Sequence, residues 1–359
     1  MVDPGMVLAE SGEIACPLPK FKVVTMRKVV ILTVACLLLG LVACAKDSSE
    51  KTYGFVTNGI AAFWTIGIAG VRAAEKDFGV TVKVAQPTSK GGVGDQKNAL
   101  EDMLSMGVAG IAISPLDPAN QTGLLNSVAA KTILITHDSD APDSNRRCYI
   151  GVDNYAAGRL CGELVKEAVP DGGKIMLFIG NLGQANSQGR RQGVIDVLMG
   201  HSNDPKRRTP NKYPINSSDG KYSILGCLTD DFDRVVAKEN AEDTLTDNPD
   251  LACMVGLFEY NPPLILEALK SAGRLGKVKV IGFDENDATL DGIRKGTVAS
   301  TVVQNPYMYG YRSVQMLIDL ANGKDSAVPP GGFLDIPARR IDRDNVDKFQ
   351  AELKQRLGK

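Results

Sequence analysis

Downstream of residue 50 the chain alternates short β-branched runs with amphipathic segments almost to its end, and few folds accept that pattern. The runs are "YGFVT", "VTVKVA", "GIAISP", "TILIT", "CYIGVD", "KIMLFIG", "YSILGCL", "ACMVGL", "VKVIGFD" and "ASTVVQ". Between them lie segments such as "FWTIGIAGVRAAEKDFG" and "QKNALEDMLSMG", which end in glycine, the usual helix stop. Continuous apolar strands separated by helices predict parallel sheets covered on both faces. About ten strands divide better into two doubly wound α/β lobes than into one sheet, and ligands of such sheets bind beyond the carboxyl ends of the strands.

The residues just after the strands are therefore the candidates for chemistry. "YGFVT" is followed by Asn58 and "GIAAFW", "TILIT" by "HDSD", and "CYIGV" by Asp153-Asn154. "KIMLFIG" leads to "NLGQANSQGRR", "ILGCLT" to "DDFDR", "MVGLF" to "EYNPP", "VIGF" to "DENDA" and "STVV" to Gln304-Asn305. Carboxylates and amides exchange hydrogen bonds with hydroxyls, and aromatic faces cover the C–H faces of a ring, so this composition suits a small polyhydroxylated ligand.

Other functions are disfavoured. A formal net charge of -1 gives no electrostatic case for nucleic acid. His137 and His201 are the only histidines and no Cys-x-x-Cys pair occurs, so neither a metal site nor a cofactor is expected. "GGVGDQK" lacks the ending of a phosphate loop, no G-x-G-x-x-G opens a helix after a strand, and no G-x-S-x-G elbow is present. Asp138 and Asp284 could form a glycosidase-like carboxylate pair, but nothing in the sequence places either in an apolar pocket, and no catalytic residue is assigned. Cys148, Cys161, Cys227 and Cys253 stand in apolar settings that read as core; a disulfide among them is left open, since spacing cannot choose partners.

Taken in order, "AAFWTIGIAGVRAAEKDFG", "ITHDSDAP", "GVDNYAAGRLCGE", "NSQGRRQGVID", "DDFDR", "DNPDLACMVGLFEYNPPLILEALKSAG", "VIGFDEN" and "VVQNPYMYGY" resemble the ribose/galactose-type substrate-binding proteins of bacterial ABC transporters. The resemblance runs from about Tyr53 to "IDRDNV" and implies the type I periplasmic binding protein fold: two doubly wound parallel-sheet lobes joined by a three-segment hinge. It implies that Phe63 and Trp64 stack on a sugar ring from the first lobe and Phe232 closes it from the second. It further implies that Asp138, Arg190, Asn261, Asp284 and Gln304 hydrogen-bond the hydroxyls, with Asn58 beside them. Ser139 followed by Asp140 replaces the arginine that many ribose binders carry after the aspartate, and Asp140 joins the candidate ligand set. "GIAA" replaces the polar loop that usually precedes the aromatic pair.

The resemblance places the first lobe at 51–152 plus 306–330 and the second at 153–305 plus 331–345, followed by a C-terminal helix over 346–359. Chain crossings are expected near Asp153, Asn305 and Pro330. Residues 1–43 read as an upstream extension and a lipoprotein signal peptide, and 44–52 as a tether. The apolar run from Val29 to Ala43 is about fifteen residues, short of the roughly 20 that span a bilayer, and Leu41-Val42-Ala43-Cys44 resembles a lipobox, making Cys44 the lipidation site. Residues 1–25 fit no export signal, so Met26 is the expected start.

The implied function is an extracytoplasmic, membrane-anchored monomer that captures a monosaccharide, closes on it and delivers it to a permease and ATPase. The alternative from another class is a sugar sensor reporting to a signalling receptor; a sugar-processing enzyme comes third. Among structural roles, Asp231 or Asp233 is expected to cap the helix "RVVAKENAEDTL", His137 to be a satisfied supporting group, and Arg191 and "DPKRR" to face solvent. Residues 199–223 read as a long surface loop, and Arg190 and Asp284 as groups that face water before ligand arrives.

Overall fold

The computed structural model describes residues 51–88 and 92–358; the signal, the lipobox with Cys44 and most of the tether lie outside the described residues. The chain opens with β1 (Thr52–Val56), α1 (Ala62–Phe78), β2 (Thr81–Ala85), α2 (Gly92–Ser105), β3 (Gly110–Ile113), α3 (Pro118–Ala129), β4 (Ile133–His137) and β5 (Tyr149–Gly151). It continues with α4 (Asn154–Ala168), β6 (Gly173–Ile179), α5 (Ala185–Leu198), β7 (Ile215–Asn216), β8 (Tyr222–Thr229), α6 (Arg234–Asp247) and β9 (Leu251–Gly256). Then come α7 (Asn261–Ser271), β10 (Lys279–Phe283), α8 (Asp287–Lys295), β11 (Ser300–Val303), α9 (Pro306–Ala321), β12 (Phe333–Asp335), β13 (Arg339–Ile341) and α10 (Val346–Arg356).

Two sheets result, ordered β12-β5-β4-β3-β1-β2 and β13-β11-β10-β9-β6-β8-β7. Apart from the short β7 and the antiparallel β13, the pairings are parallel. All ten runs seen in the sequence are strands. Each sheet carries apolar clusters on both faces, which is why its strands are apolar throughout. In the first lobe Tyr53, Phe55, Val71 and Leu317 pack on one face and Leu100, Ile111, Leu125 and Leu134 on the other. In the second, Leu177, Ile195 and Phe283 oppose Met254, Leu269 and Leu290. The cysteines at 148, 161, 227 and 253 are free and buried in these cores, and burial pushes the Cys161 and Cys227 thiols up to about 12.

Helix boundaries follow local chemistry. Asp153 caps α4 by accepting from Tyr155 N and Ala156 N, each at 3.0 Å. Of the two candidates, Asp233 caps α6, accepting from Val235 N at 2.8 Å, while Asp231 accepts from Asn181 Nδ2. α1 ends at Gly79, whose φ of 63° glycine adopts without a Cβ clash.

The helix that follows each of the first two crossings packs within the lobe the chain has just entered. α4 lies backbone to backbone on α5, because a Cβ at Gly158 would overlap the Arg190 carbonyl; α9 lies likewise on α1, where a Cβ at Gly70 would overlap the Tyr307 carbonyl. The third crossing falls later than the place expected near Pro330. Phe333–Asp335 pairs with β5 in the first sheet and Arg339–Ile341 with β11 in the second, so the chain changes lobes between Asp335 and Arg339. Asp153 N donates to Asp335 Oδ1 at 3.0 Å, tying the first crossing to the third.

Candidate functional site

Two aspartates in matching places define the site. Asp138 follows β4 and Asp284 follows β10, the fourth strand of each repeating unit. Both adopt left-handed backbone, φ 58° and 61°, a conformation unusual for residues with a Cβ and concentrated at functional positions. Each is held there by the next strand: Asp138 N donates to Ile150 O at 3.0 Å and Asp284 N to Val302 O at 2.7 Å. Burial pushes both carboxyls up to about 6, against the pull of the Arg190 charge on each. The sequence offered no sign of this shift.

On the first-lobe side, Asp138 Oδ2 accepts from Ser114 Oγ at 2.9 Å and Asn58 Nδ2 at 3.3 Å. Asn58 Oδ1 in turn accepts from Trp64 Nε1 at 2.8 Å. Trp64 is buried against Phe55, Phe63 and His137, so its indole is held in place, while Phe63 is half-buried. His137 stacks on Phe55 with centroids 4.2 Å apart. Its Nε2 meets Val56 O at 3.1 Å, yet Nδ1 has no partner among the described residues, so His137 is only half satisfied there. Burial pushes its pKa down to about 3, which keeps it neutral. Tyr149 Oη donates to the Asp138 carbonyl at 2.8 Å.

The second lobe supplies the cation. Arg190, on α5, is 2% exposed. Its Nε donates to Asn154 Oδ1 at 2.9 Å and Nη1 to Leu257 O at 3.0 Å, and its guanidinium lies 4.0 Å over the Phe283 ring. Gln304 Nε2 donates to Asp284 Oδ1 at 2.9 Å, and Tyr309 Oη donates to Gln304 Oε1 at 3.2 Å. Gln184 Nε2 reaches across to the Leu116 carbonyl of the first lobe at 3.3 Å. Arg190 and Asp284 are thus buried, packed groups, and Arg190 in particular carries a structural load that the sequence did not show.

Phe232, 44% exposed, sits over Gly180, where a Cβ would stand 2.5 Å from the ring. Asn261 is buried, accepting from Phe258 N at 3.0 Å and donating to Asp230 Oδ2 at 3.1 Å.

The structure therefore brings together Asn58, Asp138, Arg190, Asp284 and Gln304, with Phe63 and Trp64 on one side and Phe232 and Asn261 on the other. Asp140 does not join them: Arg146 grips both of its oxygens, Nη2 to Oδ2 at 2.7 Å, and Thr136 Oγ1 donates to Oδ1 at 2.7 Å. Arg191 is not solvent-facing. It is 6% exposed because Thr209 O, Pro210 O and Tyr213 Oη accept its protons at 2.9, 3.0 and 2.8 Å, welding the 199–223 segment onto α5. Arg207 of "DPKRR" likewise donates to the fully buried Asp196 at 2.7 Å. Ser114, Tyr149 and Tyr309 were missed, and Asn154 and Asp230 were noted only as residues following strands; Ser114 directly follows β3 and Tyr149 opens β5, whereas Tyr309 lies within α9 and carried no positional signal.

A buried set of carboxylates, amides and one guanidinium, flanked by aromatic faces, can accept from and donate to several hydroxyls of one small ring at once. Among the described residues no group of His, Cys, Asp and Glu could hold a metal ion.

Residues 54–325 match the family described as periplasmic binding protein domain. The D-allose-binding periplasmic protein of Escherichia coli is 22% identical over 292 residues, covering 79% of this chain and 88% of that protein. The ribose import binding protein RbsB of Haemophilus influenzae is 24% identical over 291 residues, covering 79% and 90%. Among solved structures, GanP, a glucose-galactose binding protein from Geobacillus stearothermophilus, superposes with a TM-score of 0.73 at 26% identity, covering 83% of this chain and 99% of its own. An ABC transporter solute binding protein from Agrobacterium vitis with bound D-fucose gives 0.72 at 25%, covering 84% and 99%.

Proposed function

The chain belongs to the periplasmic binding protein domain family, and from that premise we propose that it is an extracytoplasmic receptor for a monosaccharide. Closure of the two lobes on the sugar presents it to the permease and ATPase of an ABC importer. The observation that carries this reading is the paired placement of Asp138 and Asp284, one from each lobe, both under the charge of Arg190. Only the closed arrangement engages both sets of groups, so ligand favours closure by its differential affinity for that state. The relatives' names support a sugar: allose, ribose, and glucose or galactose. A single copy of the chain, held at the membrane through a lipidated Cys44, is the working unit.

Thermal-shift screening of the ligand-free protein against pentoses, hexoses and polyols tests the reading, because a ligand that binds only the native state raises its melting point. At least one monosaccharide should stabilise the protein and bind with one-to-one stoichiometry in calorimetry. A flat response across the panel would sink the proposal.

A further inference from the structure

We propose that Asp230 is a positioning residue of the second lobe's half-site, setting both the pose of Phe232 and the direction in which the Asn261 amide stands. The inference builds on the sugar-binding reading, but its geometry is independent of any ligand.

Asp230 follows β8 directly and is 3% exposed. Its carboxylate collects three donors: Tyr260 Oη at 2.5 Å and Phe232 N at 2.9 Å on Oδ1, and Asn261 Nδ2 at 3.1 Å on Oδ2. The backbone around it is strained. Asp231 and Phe232 both have positive φ, 50° and 66°, and consecutive left-handed residues with side chains persist only where their surroundings hold them. Asp230 N and Asp231 N both donate to Gly180 O, at 3.1 and 2.9 Å, and the Phe232 N–H is held by the Asp230 carboxylate. The result is an aromatic ring laid over Gly180 at the rim of the site, beside Phe258 with centroids 5.8 Å apart.

The same carboxylate decides the Asn261 amide. Oδ1 of Asn261 accepts from Phe258 N while Nδ2 donates to Asp230. With the amide reversed, two donors would face each other at Phe258 and two acceptors at Asp230, so one orientation is permitted. Phe258 in turn lies 5.0 Å from the Arg190 guanidinium. Asp230 thereby connects the rim ring, the amide and the surroundings of the cation.

Three variants test this: Asp230→Asn, Asp230→Ala, and Asp230→Asn combined with Asn261→Asp. In Asp230→Asn the new Oδ1 still accepts from Tyr260 and Phe232, but its amide nitrogen faces Asn261 Nδ2, donor against donor. The double variant restores that contact with donor and acceptor exchanged. Site-resolved amide hydrogen exchange by NMR on the ligand-free proteins should show both Phe232 and Phe258 protected in wild type. Phe258 alone should lose protection in Asp230→Asn and regain it in the double variant, and both should lose it in Asp230→Ala. By calorimetry with the sugar that most raises the wild-type melting point, Asp230→Asn should bind about tenfold more weakly and Asp230→Ala more weakly still. A uniform loss of protection would reveal a purely structural role and overturn the proposal, as would unchanged exchange at both amides or wild-type affinity in Asp230→Asn. The isosteric variant keeps the test decisive if the alanine variant fails to fold. If no sugar binds wild type, the receptor reading fails, and the exchange pattern still decides the role of Asp230.

Discussion

The two lobes are built to one plan and equipped differently. Read in repeating units, the sheets share the order second-first-third-fourth-fifth strand, with β12 and β13 added beyond the fifth; this is the doubly wound order whose crevice lies at the switch point. Each places an aspartate after its fourth strand in the same strained backbone. The difference lies in the helix after the first strand. In the first lobe α1 opens with Phe63 and Trp64, whereas in the second the corresponding α5 carries Arg190. A duplicated scaffold therefore supplies equivalent acceptors from both sides, while the helix decides whether a half-site offers an apolar wall or a cation.

Breaking that asymmetry at its cation should have the largest effect. Arg190→Ala removes the positive charge that favours ionisation of both Asp138 and Asp284, and it strips Asn154 and the Leu257 carbonyl of their donor. Hydrogen bonds to charged groups contribute roughly 1.5–3 kcal/mol each, so calorimetry should show sugar affinity falling by about a hundredfold, at roughly tenfold per 1.4 kcal/mol. Because the side chain is buried on Phe283, the ligand-free melting point should fall as well. Wild-type affinity in this variant would remove the cation from the site.

How much of this the sequence already contained depends on the kind of interaction involved. The strands were legible because a sheet covered on both faces needs uninterrupted apolar runs, and "KIMLFI" cannot be much else. Asp138 and Asp284 were legible because each directly follows such a run. β12 was not: "FLD" is three residues at a sheet edge, too short to show a period, and the third crossing was misplaced with it. Arg191 and Arg207 were misread because their partners, the carbonyls of 209 and 210 and the carboxylate of Asp196, are set by how the 199–223 segment folds back. Asp140 looked like Asp138 two residues on; its partners Arg146 and Thr136 tell the two apart. Local pattern reports burial, whereas the pairing of charged groups is decided by chain segments distant in sequence.

An intermediate effect should come from pH and would sharpen the equivalence of the two acids. Each folded-state pKa is raised from 3.8 to about 6, so each acid contributes stability that is fully present below about pH 4 and lost as pH rises through about 6. His137, lowered from 6.5 to about 3, has the opposite sign: its contribution is present above about pH 6.5 and lost as pH falls toward 3. Asp138→Asn and Asp284→Asn each delete one raised acid and leave His137 in place. The melting point of either ligand-free variant, relative to wild type, should therefore climb between pH 4 and 7. About 1 kcal/mol moves a melting point by roughly 2–4 °C in domains of this size class, so a climb of several degrees is expected. Equal climbs would establish the two acids as equivalent; a climb in one variant alone would show that the shared backbone geometry does not impose a shared electrostatic environment.

The smallest effect tests how the lobes are joined at the site. Tyr309 rides on α9, which packs against α1 of the first lobe, yet its hydroxyl donates to Gln304 Oε1 at 3.2 Å beside the second-lobe Asp284. This bond orients the Gln304 amide so that Nε2 faces the carboxylate, which is the orientation Asp284 requires as an acceptor. Tyr309→Phe keeps the buried ring and deletes one neutral hydrogen bond, an interaction of about 0.5–1.5 kcal/mol. Calorimetry should then show two- to tenfold weaker sugar binding, with the melting point little changed because the ring still fills its place. Gln304→Ala should weaken binding at least as much, and adding Tyr309→Phe to it should cost nothing further if the tyrosine acts only through that amide. A further loss in the double variant would mean that the Tyr309 hydroxyl meets the ligand itself, making the first lobe's contribution more polar than its aromatic pair suggests.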